Sequence, residues 1–440
     1  MKRGHSAGPA RSTPDVLIVG SGPAGSALAM LLTRRGWSVT MLERAFHPRP
    51  KACGECVNPG AVQALARLGL LDTILALRPA RLEGWHLRTA EGHEVDTRFR
   101  TEDGFGLGLP RADLDAALVS EAVRNGARLH EGVTVRTVEL PRGPAPTHGS
   151  GGDPQPVVAK TREADGHSAR RTAPLIVGAD GLRSVVARAI NGVDPIPRRR
   201  KVSITCRLSG SGPSRRSGLL RMGGFGTIGL APVHADLPLW NGTVVVDSAR
   251  WGHSLAGRPL EFFQEVFATA GLGWDSEPRV LEGPWCSGPF DVPRRRAVSD
   301  GVLLVGDAAG YYDPLTGQGI YRALLSAELA APVIDRALRQ AGGQRLSGNP
   351  PQPISRASLA PYEARLHRAF RLGRGIQRVI EGVVSRRRLR SMVFGGLQLF
   401  PAVGDALVRL TGDVATPYSL LNPTLRTRGG PGEPTITPGR

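Results

Sequence analysis

Four apolar residues, Val16-Leu17-Ile18-Val19, run directly into Gly20-Ser21-Gly22-Pro23-Ala24-Gly25-Ser26, and no other stretch constrains the chain as much. The apolar run reads as a buried strand, and the glycines let the backbone turn sharply into a helix. Gly22 allows close approach to a pyrophosphate, and Gly25 lets the helix pack against the strand. The helix start offers unpaired N–H groups and the positive end of its dipole to phosphates. Glu43 follows a second apolar run, Ser38 to Leu42, where a carboxylate can accept hydrogen bonds from a ribose diol. Strand, helix and acid together predict a dinucleotide site built on Gly20, Gly22, Pro23, Ala24, Gly25, Glu43 and Arg44. An acid at the ribose position suits FAD or NAD better than NADP.

Length and charge bound the rest. A chain of 440 residues can bury a large core and is expected to carry two joined domains plus a tail. Four cysteines in that length make no disulfide scaffold and point to a reducing compartment. Met1 to Pro14 is polar, without the apolar core of a signal peptide. The segment Val16 to Leu32 is too broken by Gly20, Gly22, Pro23 and Gly25 to read as a membrane span. We expect a cytoplasmic protein, with peripheral contact at the inner face of the membrane as an added possibility. The net charge of +19 invites nucleic acid, an anionic membrane or an Arg-rich genome as explanations. No helix-turn-helix, zinc-finger spacing or RNP motif is present and aromatic residues are only 5%, so no nucleic-acid partner is expected. Arginines cluster at Arg198–Arg200, Arg294–Arg296 and Arg386–Arg388. They read as solvated loops, although the second cluster falls close to where cofactor phosphates would sit.

Along the chain, a loop from Lys51 leads into an amphipathic helix, Pro59 to Leu68. Arg81 to Arg100 alternates about Glu91-Gly92 as a hairpin, and Arg111 opens a helix, Ala112 to Asn125. Strands are expected at Thr134–Glu139, Val157–Lys160 and Leu175–Val177, with a flexible hairpin tip over Pro141–Pro154. From Val202 to Trp285 the pattern changes to alternating strands with one helix near Leu260–Ala270. Gly301 to Asp307 returns to a parallel-strand pattern, followed by a helix from Gly319 to about Leu338. Gly224-Phe225-Gly226-Thr227-Ile228-Gly229 repeats the glycine spacing, but it follows no apolar strand and runs into Ala231-Pro232. It reads as a glycine-rich hairpin. The expected fold is α/β: a Rossmann-like nucleotide domain (14–80, 101–200, 286–340) with an inserted, mostly antiparallel sheet (81–100, 201–285). A linker (341–354), a C-terminal helical segment (355–422) and tails (1–13, 423–440) complete it.

Three more segments extend the first motif: Gly178-Ala179-Asp180-Gly181-Leu182-Arg183-Ser184, Gly306-Asp307-Ala308-Ala309-Gly310 and Pro314-Leu315-Thr316-Gly317-Gln318-Gly319-Ile320. With Gly20–Gly25, Glu43 and Arg111, this ordered set resembles the FAD-dependent monooxygenases of the para-hydroxybenzoate hydroxylase superfamily, over roughly Asp15 to Ala331. Lys51-Ala52-Cys53-Gly54-Glu55 and Asp313-Pro314-Leu315-Thr316-Gly317 look most like its geranylgeranyl reductase branch. Flavin-dependent halogenases are also similar around Gly54-Glu55, but the chain has no Trp-x-Trp-x-Ile-Pro motif. The resemblance implies that Asp307 hydrogen-bonds the ribityl chain beside Gly306. It also implies that Pro314, Gly317, Gln318, Gly319 and Ile320 face the flavin pyrimidine. Arg111 would lie along the cofactor and Asp180 near the path of NAD(P)H; otherwise Asp180 caps a turn.

Cys53-Gly54-Glu55-Cys56 has two readings, a redox dithiol and a loop near the flavin in which Cys53 shapes the active site. Two cysteines without a His pair make no metal site, and none is expected. No second nucleotide fold is visible, and the resemblance implies that NADPH or NADH docks transiently as reductant. Cys53, Tyr312 and Asp313 are the candidate catalytic residues, while Tyr311 and Tyr312 also suit packing. The resemblance implies a monooxygenase that hydroxylates an apolar aromatic or polyketide-like substrate with O₂ through a flavin C4a-hydroperoxide. The alternative is a reductase of prenyl-chain double bonds. Finally, Tyr362 to Leu389 reads as an Arg-rich helix with Leu366, Phe370, Val379 and Val383 on one face, either covering the core or touching a membrane.

Overall fold

The computed structural model describes residues 13–141, 156–191, 201–292, 294, 296–342 and 352–415. The hairpin tip beyond Pro141, the cluster Arg198–Arg200, Arg295, most of the 341–354 linker and both tails lie outside them.

The strand Val16–Val19 sits inside a six-stranded sheet. The order is Val298–Ser299, Val302–Leu304, Leu175–Gly178, Val16–Val19, Val39–Leu42 and Arg128–His130, parallel except for the first pair. Its three central strands are buried on both faces, which explains their unbroken apolar runs. Val16 and Ile18 pack on one side with the helices Pro23–Thr33, Arg111–Arg124 and Gly319–Gly342. Leu17 and Val19 pack on the other with a three-stranded antiparallel sheet, Thr134–Glu139, Val157–Arg162 and Ser168–Ala173. Because side chains alternate along a strand, the sheet separates these two cores.

The second large sheet has seven strands in the order Arg279–Ser287, Lys201–Ser209, Leu239–Asp247, Gly226–Pro232, Ser217–Gly223, Gly84–Thr89 and Glu94–Arg98. Only the pairing of Ser217–Gly223 with Gly84–Thr89 is parallel. The expected mostly antiparallel sheet is therefore present, and the hairpin about Glu91-Gly92 belongs to it. The second glycine motif forms the turn between Ser217–Gly223 and Gly226–Pro232, where Gly223 and Gly226 have φ of +99° and +144°. Ile204, Cys206, Leu208, Val244 and Val246 bury one face against Phe262, Phe263 and Val266 of the helix Pro259–Thr269. The alternate residues Ser203, Thr205, Arg207, Asn241 and Thr243 are buried on the opposite, polar face.

Three helices close the described chain: Arg356–Ser385, Arg387–Leu399 and Pro401–Thr411. The first departs from the single apolar face expected of it. Leu366 and Phe370 are buried, but Val379 is 67% exposed, and Gln377 and Glu381 take the inward positions. Those two side chains are needed inside because polar groups from a loop and from the seven-stranded sheet wait there. Apolar spacing alone does not reveal an inward polar pair.

Candidate active site

Glycines bring segments far apart in sequence into one groove. Gly20 has φ of +96°, and a Cβ there would lie 2.5 Å from the Ala179 carbonyl oxygen. One on Gly25 would lie 2.1 Å from the Gly20 carbonyl oxygen, and one on Gly306 would meet the Ala24 methyl at 2.9 Å. The start of the helix Pro23–Thr33 is thus wedged between the Ala179-Asp180 turn and the Gly306-Asp307 turn. Gly22, Gly54 and Gly317 behave oppositely, since a Cβ on any of them would meet nothing within 4 Å. Bare backbone facing open space at Gly22, beside the N-terminus of a helix led by Pro23, is what a pyrophosphate requires. The residues present fit an extended dinucleotide.

Glu43 ends the strand Val39–Leu42 and is buried. Its carboxylate accepts from the Ser21 backbone N–H (3.1 Å), the Ser21 hydroxyl (3.2 Å) and the Ala45 N–H (3.1 Å), with Arg49 at 3.5 Å. Burial pushes its pKa up, but Arg49 and the two backbone donors outweigh that and hold it below the ordinary value. An ionised acceptor therefore stands beside the glycine turn, as the ribose role requires. Arg44 is exposed next to it.

Arg111 is buried, and its guanidinium forks the Asp115 carboxylate at 2.9 and 2.8 Å. The Lys51 ammonium, whose pKa burial and then Arg111 push down, lies in the field of Asp307 and Asp115. Asp180 accepts from the Val185 N–H at 2.8 Å and so caps the helix Val185–Asn191, the plainer of its two roles. Burial pushes its pKa up.

The Cys53–Cys56 loop is pinned by Glu55, which has φ of +54° and is 3% exposed. Glu55 Oε1 accepts from the Arg111 N–H at 2.7 Å, while Oε2 takes the Arg207 guanidinium at 2.6 Å and the Asn241 amide at 3.1 Å. Asn241 also donates to the Cys53 carbonyl at 3.0 Å. The polar face of the seven-stranded sheet is thereby explained: it grips the loop that presents Cys53. Both loop cysteines are free thiols. Burial, with Cys53 and Glu55 adding charge repulsion, pushes the Cys56 thiol far above its usual range, so Cys56 does not supply a thiolate near neutral pH.

On the other side, Asp313 caps the turn Pro314–Thr316 through the Leu315 N–H at 2.9 Å. Its second oxygen meets Lys201 Nζ at 3.1 Å, and Lys201 continues to Glu381 at 2.5 Å. Tyr312 is buried, and Tyr311 packs its ring 5.6 Å from Phe290. Burial, with Asp307 and Asp313, pushes the Tyr311 phenol well above its usual value, so it remains protonated. Gly317 takes the left-handed conformation (φ +65°) and Gly319 opens the helix that carries buried Ile320. Gln318 turns inward. Its oxygen accepts from Thr316 (3.0 Å) and Gln377 (3.0 Å), and its amide donates to Asp413 at 2.6 Å. Asp413 also accepts from Asn58 at 2.8 Å, tying the last described helix across both loops.

Burial pushes Asp413 up to about 7, against the hydrogen bonds from Asn58 and Gln318. A carboxyl whose folded pKa is raised gives stability that is full below its unfolded pKa and lost as pH rises through the folded one. Between pH 4 and 7, Asp413 is expected to weaken the fold by up to about 1.4 kcal/mol per pH unit. Asp413→Asn, which tolerates the left-handed backbone (φ +60°), removes that slope. Chemical denaturation at several pH values measures it; parallel pH profiles for the two proteins contradict the assignment.

A narrow cleft bounded by Cys56, Trp85, Phe99, Gly317, Val408 and Thr411 opens where these parts meet. A cavity of about 380 Å³ lined by Leu208, Phe263, Phe267 and Trp274 lies instead against the apolar face of the seven-stranded sheet, away from Cys53. The sequence pointed to the turn residues and to the Lys51–Glu55 segment but not to Lys201, Arg207, Asn241, Gln377, Glu381 or Asp413. Arg207 and Asn241 carried a usable signal, as polar residues at alternate positions of otherwise apolar strands.

Comparison with known proteins bears on the family of the chain. The FAD binding domain family matches residues 13–208. The menaquinone reductase of Mycolicibacterium smegmatis is 30% identical over 344 residues, covering 73% of this chain and 76% of that protein. A 6-methylpretetramide 4-monooxygenase of Streptomyces rimosus is 30% identical over 324 residues, covering 71% of this chain but 54% of that protein. Among solved structures, a geranylgeranyl bacteriochlorophyll reductase-like protein from Thermoplasma acidophilum superimposes with a TM-score of 0.70 at 19% identity, covering 93% of this chain and 95% of that one. By these likenesses the chain belongs to the FAD-dependent oxidoreductases of the para-hydroxybenzoate hydroxylase superfamily, with a menaquinone reductase and a monooxygenase among its relatives.

Proposed function

We propose that the chain is an NAD(P)H-consuming reductase that saturates a carbon–carbon double bond in an apolar, prenyl-bearing molecule. The reading rests chiefly on the Cys53 loop, where the Cys53 side chain and the protonated Tyr311 phenol stand near the groove while Glu55 fixes the backbone. Adding hydrogen across an alkene needs a hydride at one carbon and a proton at the other. The bound flavin, once reduced by the nicotinamide, supplies the hydride chemistry. On the protein's side, Gly20–Gly25, Glu43, Arg44, Asp307 and the 314–320 turn would hold the cofactor, and Arg111 with Lys51 would balance charge beside it. Cys53 would deliver the proton from its Sγ, with Tyr311 as the neighbouring O–H. Tyr312 and Asp313 would shape the opposite wall, Asp313 acting through its hold on Leu315 and Lys201.

Hydroxylation with O₂ is the second reading, and the Streptomyces rimosus monooxygenase supports it. Coverage does not separate the two readings, since a second 6-methylpretetramide 4-monooxygenase of Streptomyces rimosus matches over 79% of its own length and the menaquinone reductase over 76%. The Lys51–Glu55 and Asp313–Gly317 segments favour reduction. The test is turnover of a menaquinone with NADH or NADPH under argon. The expected product forms without O₂ and stays heavier by two hydrogens after any quinol is reoxidised, which assigns the gain to the side chain. A product formed only in air and carrying ¹⁸O from ¹⁸O₂ overturns the reductase reading in favour of hydroxylation.

A further inference from the structure

The two last described helices, Arg387–Leu399 and Pro401–Thr411, meet at an angle of 112°, and the corner between them is apolar and open. Leu399 is 76% exposed, Phe400 65% and Val403 56%. Met392, 68% exposed, stands seven residues before Leu399 and therefore on the same helix face. Arg390, Phe394 and Leu397 occupy the opposite, buried face. Arg388 lies one turn before Met392 on the outward face, and Arg386 and Arg387 are exposed beside it. Four large apolar side chains grouped in water, flanked by three arginines, are costly unless something covers them.

We propose that this corner docks on an anionic lipid bilayer, with Met392, Leu399, Phe400 and Val403 entering the headgroup layer and Arg386–Arg388 at the lipid phosphates. Charge selects this occupant. The chain carries a net +19, and the arginines beside the apolar corner match a negative surface. A second copy fits less well, because two-fold pairing would bring both copies' Arg386–Arg388 clusters into one interface. Neither helix is long and apolar enough to cross a membrane alone, and the bend is a shape suited to lying in the interface. The helix that shows Val403 outward also turns Val408 and Thr411 toward the cleft beside Gly317. Docking therefore sets the wall of that cleft about one helix diameter, roughly 10 Å, from the lipid.

The test needs no turnover, so it stands or falls apart from the reductase reading. Full-length protein is floated with vesicles of phosphatidylglycerol and phosphatidylcholine in equal parts, and with phosphatidylcholine alone. The wild type is expected to float with the anionic vesicles and to be released by high salt. Leu399→Glu/Phe400→Glu is expected to lower the partition by more than about tenfold. Arg387→Glu/Arg388→Glu should lower it on anionic vesicles only, and both variants should keep full flavin content. Absence of flotation by the wild type, or flotation unchanged by Leu399→Glu/Phe400→Glu, overturns the proposal. So does a vesicle-free dimer in sedimentation that this same variant abolishes, which would assign the corner to a second copy.

Discussion

Gly22→Val is expected to give a folded protein that emerges from purification colourless. The substitution separates ligand from fold because of what surrounds the residue. Gly22 sits at φ −69° and ψ −174°, an extended conformation that a β-branched residue adopts without strain. No protein atom lies within 4 Å of the Cβ position, so the new side chain meets only the space assigned to the pyrophosphate. Two added methyl groups there block the close approach of phosphate to the helix N-terminus. The apoprotein should unfold at the wild-type apoprotein's midpoint. The variant should lose the extra stability that FAD gives the wild type, about 4 kcal/mol when the flavin is held at 1,000 times its Kd. Gly25→Ala makes the contrast, since its Cβ would lie 2.1 Å from the Gly20 oxygen and must part the strand from the helix. That variant is expected to destabilise the apoprotein as well. Absorbance near 450 nm and calorimetry with and without added FAD read both outcomes. A Gly22→Val protein that retains stoichiometric flavin contradicts the placement of the groove.

What could be read from the chain follows from what each residue contacts. The nucleotide turn was legible because its requirements are local: an apolar strand, glycines where backbone must pass backbone, and an acid at the end of the next strand. The six-stranded sheet was legible for a related reason, since strands buried on both faces must be apolar throughout. The inserted sheet showed its strands but not the purpose of its polar face. Arg207 and Asn241 gain meaning only when Glu55, distant in sequence, is laid against them. The C-terminal helices were the least legible. Gln377, Glu381 and Asp413 are drawn inward by partners on other elements, while Val379, Leu399 and Phe400 are left outside. Periodicity finds the apolar side of a helix, and here that side is shared between the core and the surface.

Glu55→Ala is expected to cost the fold about 3–5 kcal/mol, because it leaves the Arg207 charge buried without a partner. Arg207 is 6% exposed, so water cannot replace the lost carboxylate without opening the contact between the Cys53 loop and the sheet. The Arg111 N–H loses its acceptor at the same time, and the Asn241 amide keeps only the Cys53 carbonyl. A native domain is stable by about 5–15 kcal/mol in all, so this one change takes a large share. Where Glu55→Ala fails to accumulate, Glu55→Gln keeps an acceptor for part of the network and should show a smaller loss of the same sign. The decisive variant is Glu55→Met/Arg207→Met. It removes both charges and keeps the volume, so it should be more stable than Glu55→Met or Arg207→Met alone. Urea unfolding of the four proteins gives the coupling directly. Losses that simply add, with the double variant the least stable, would mean that Glu55 and Arg207 do not act as a pair. The Cys53 loop would then have to be held by Asn241 and the Arg111 backbone alone.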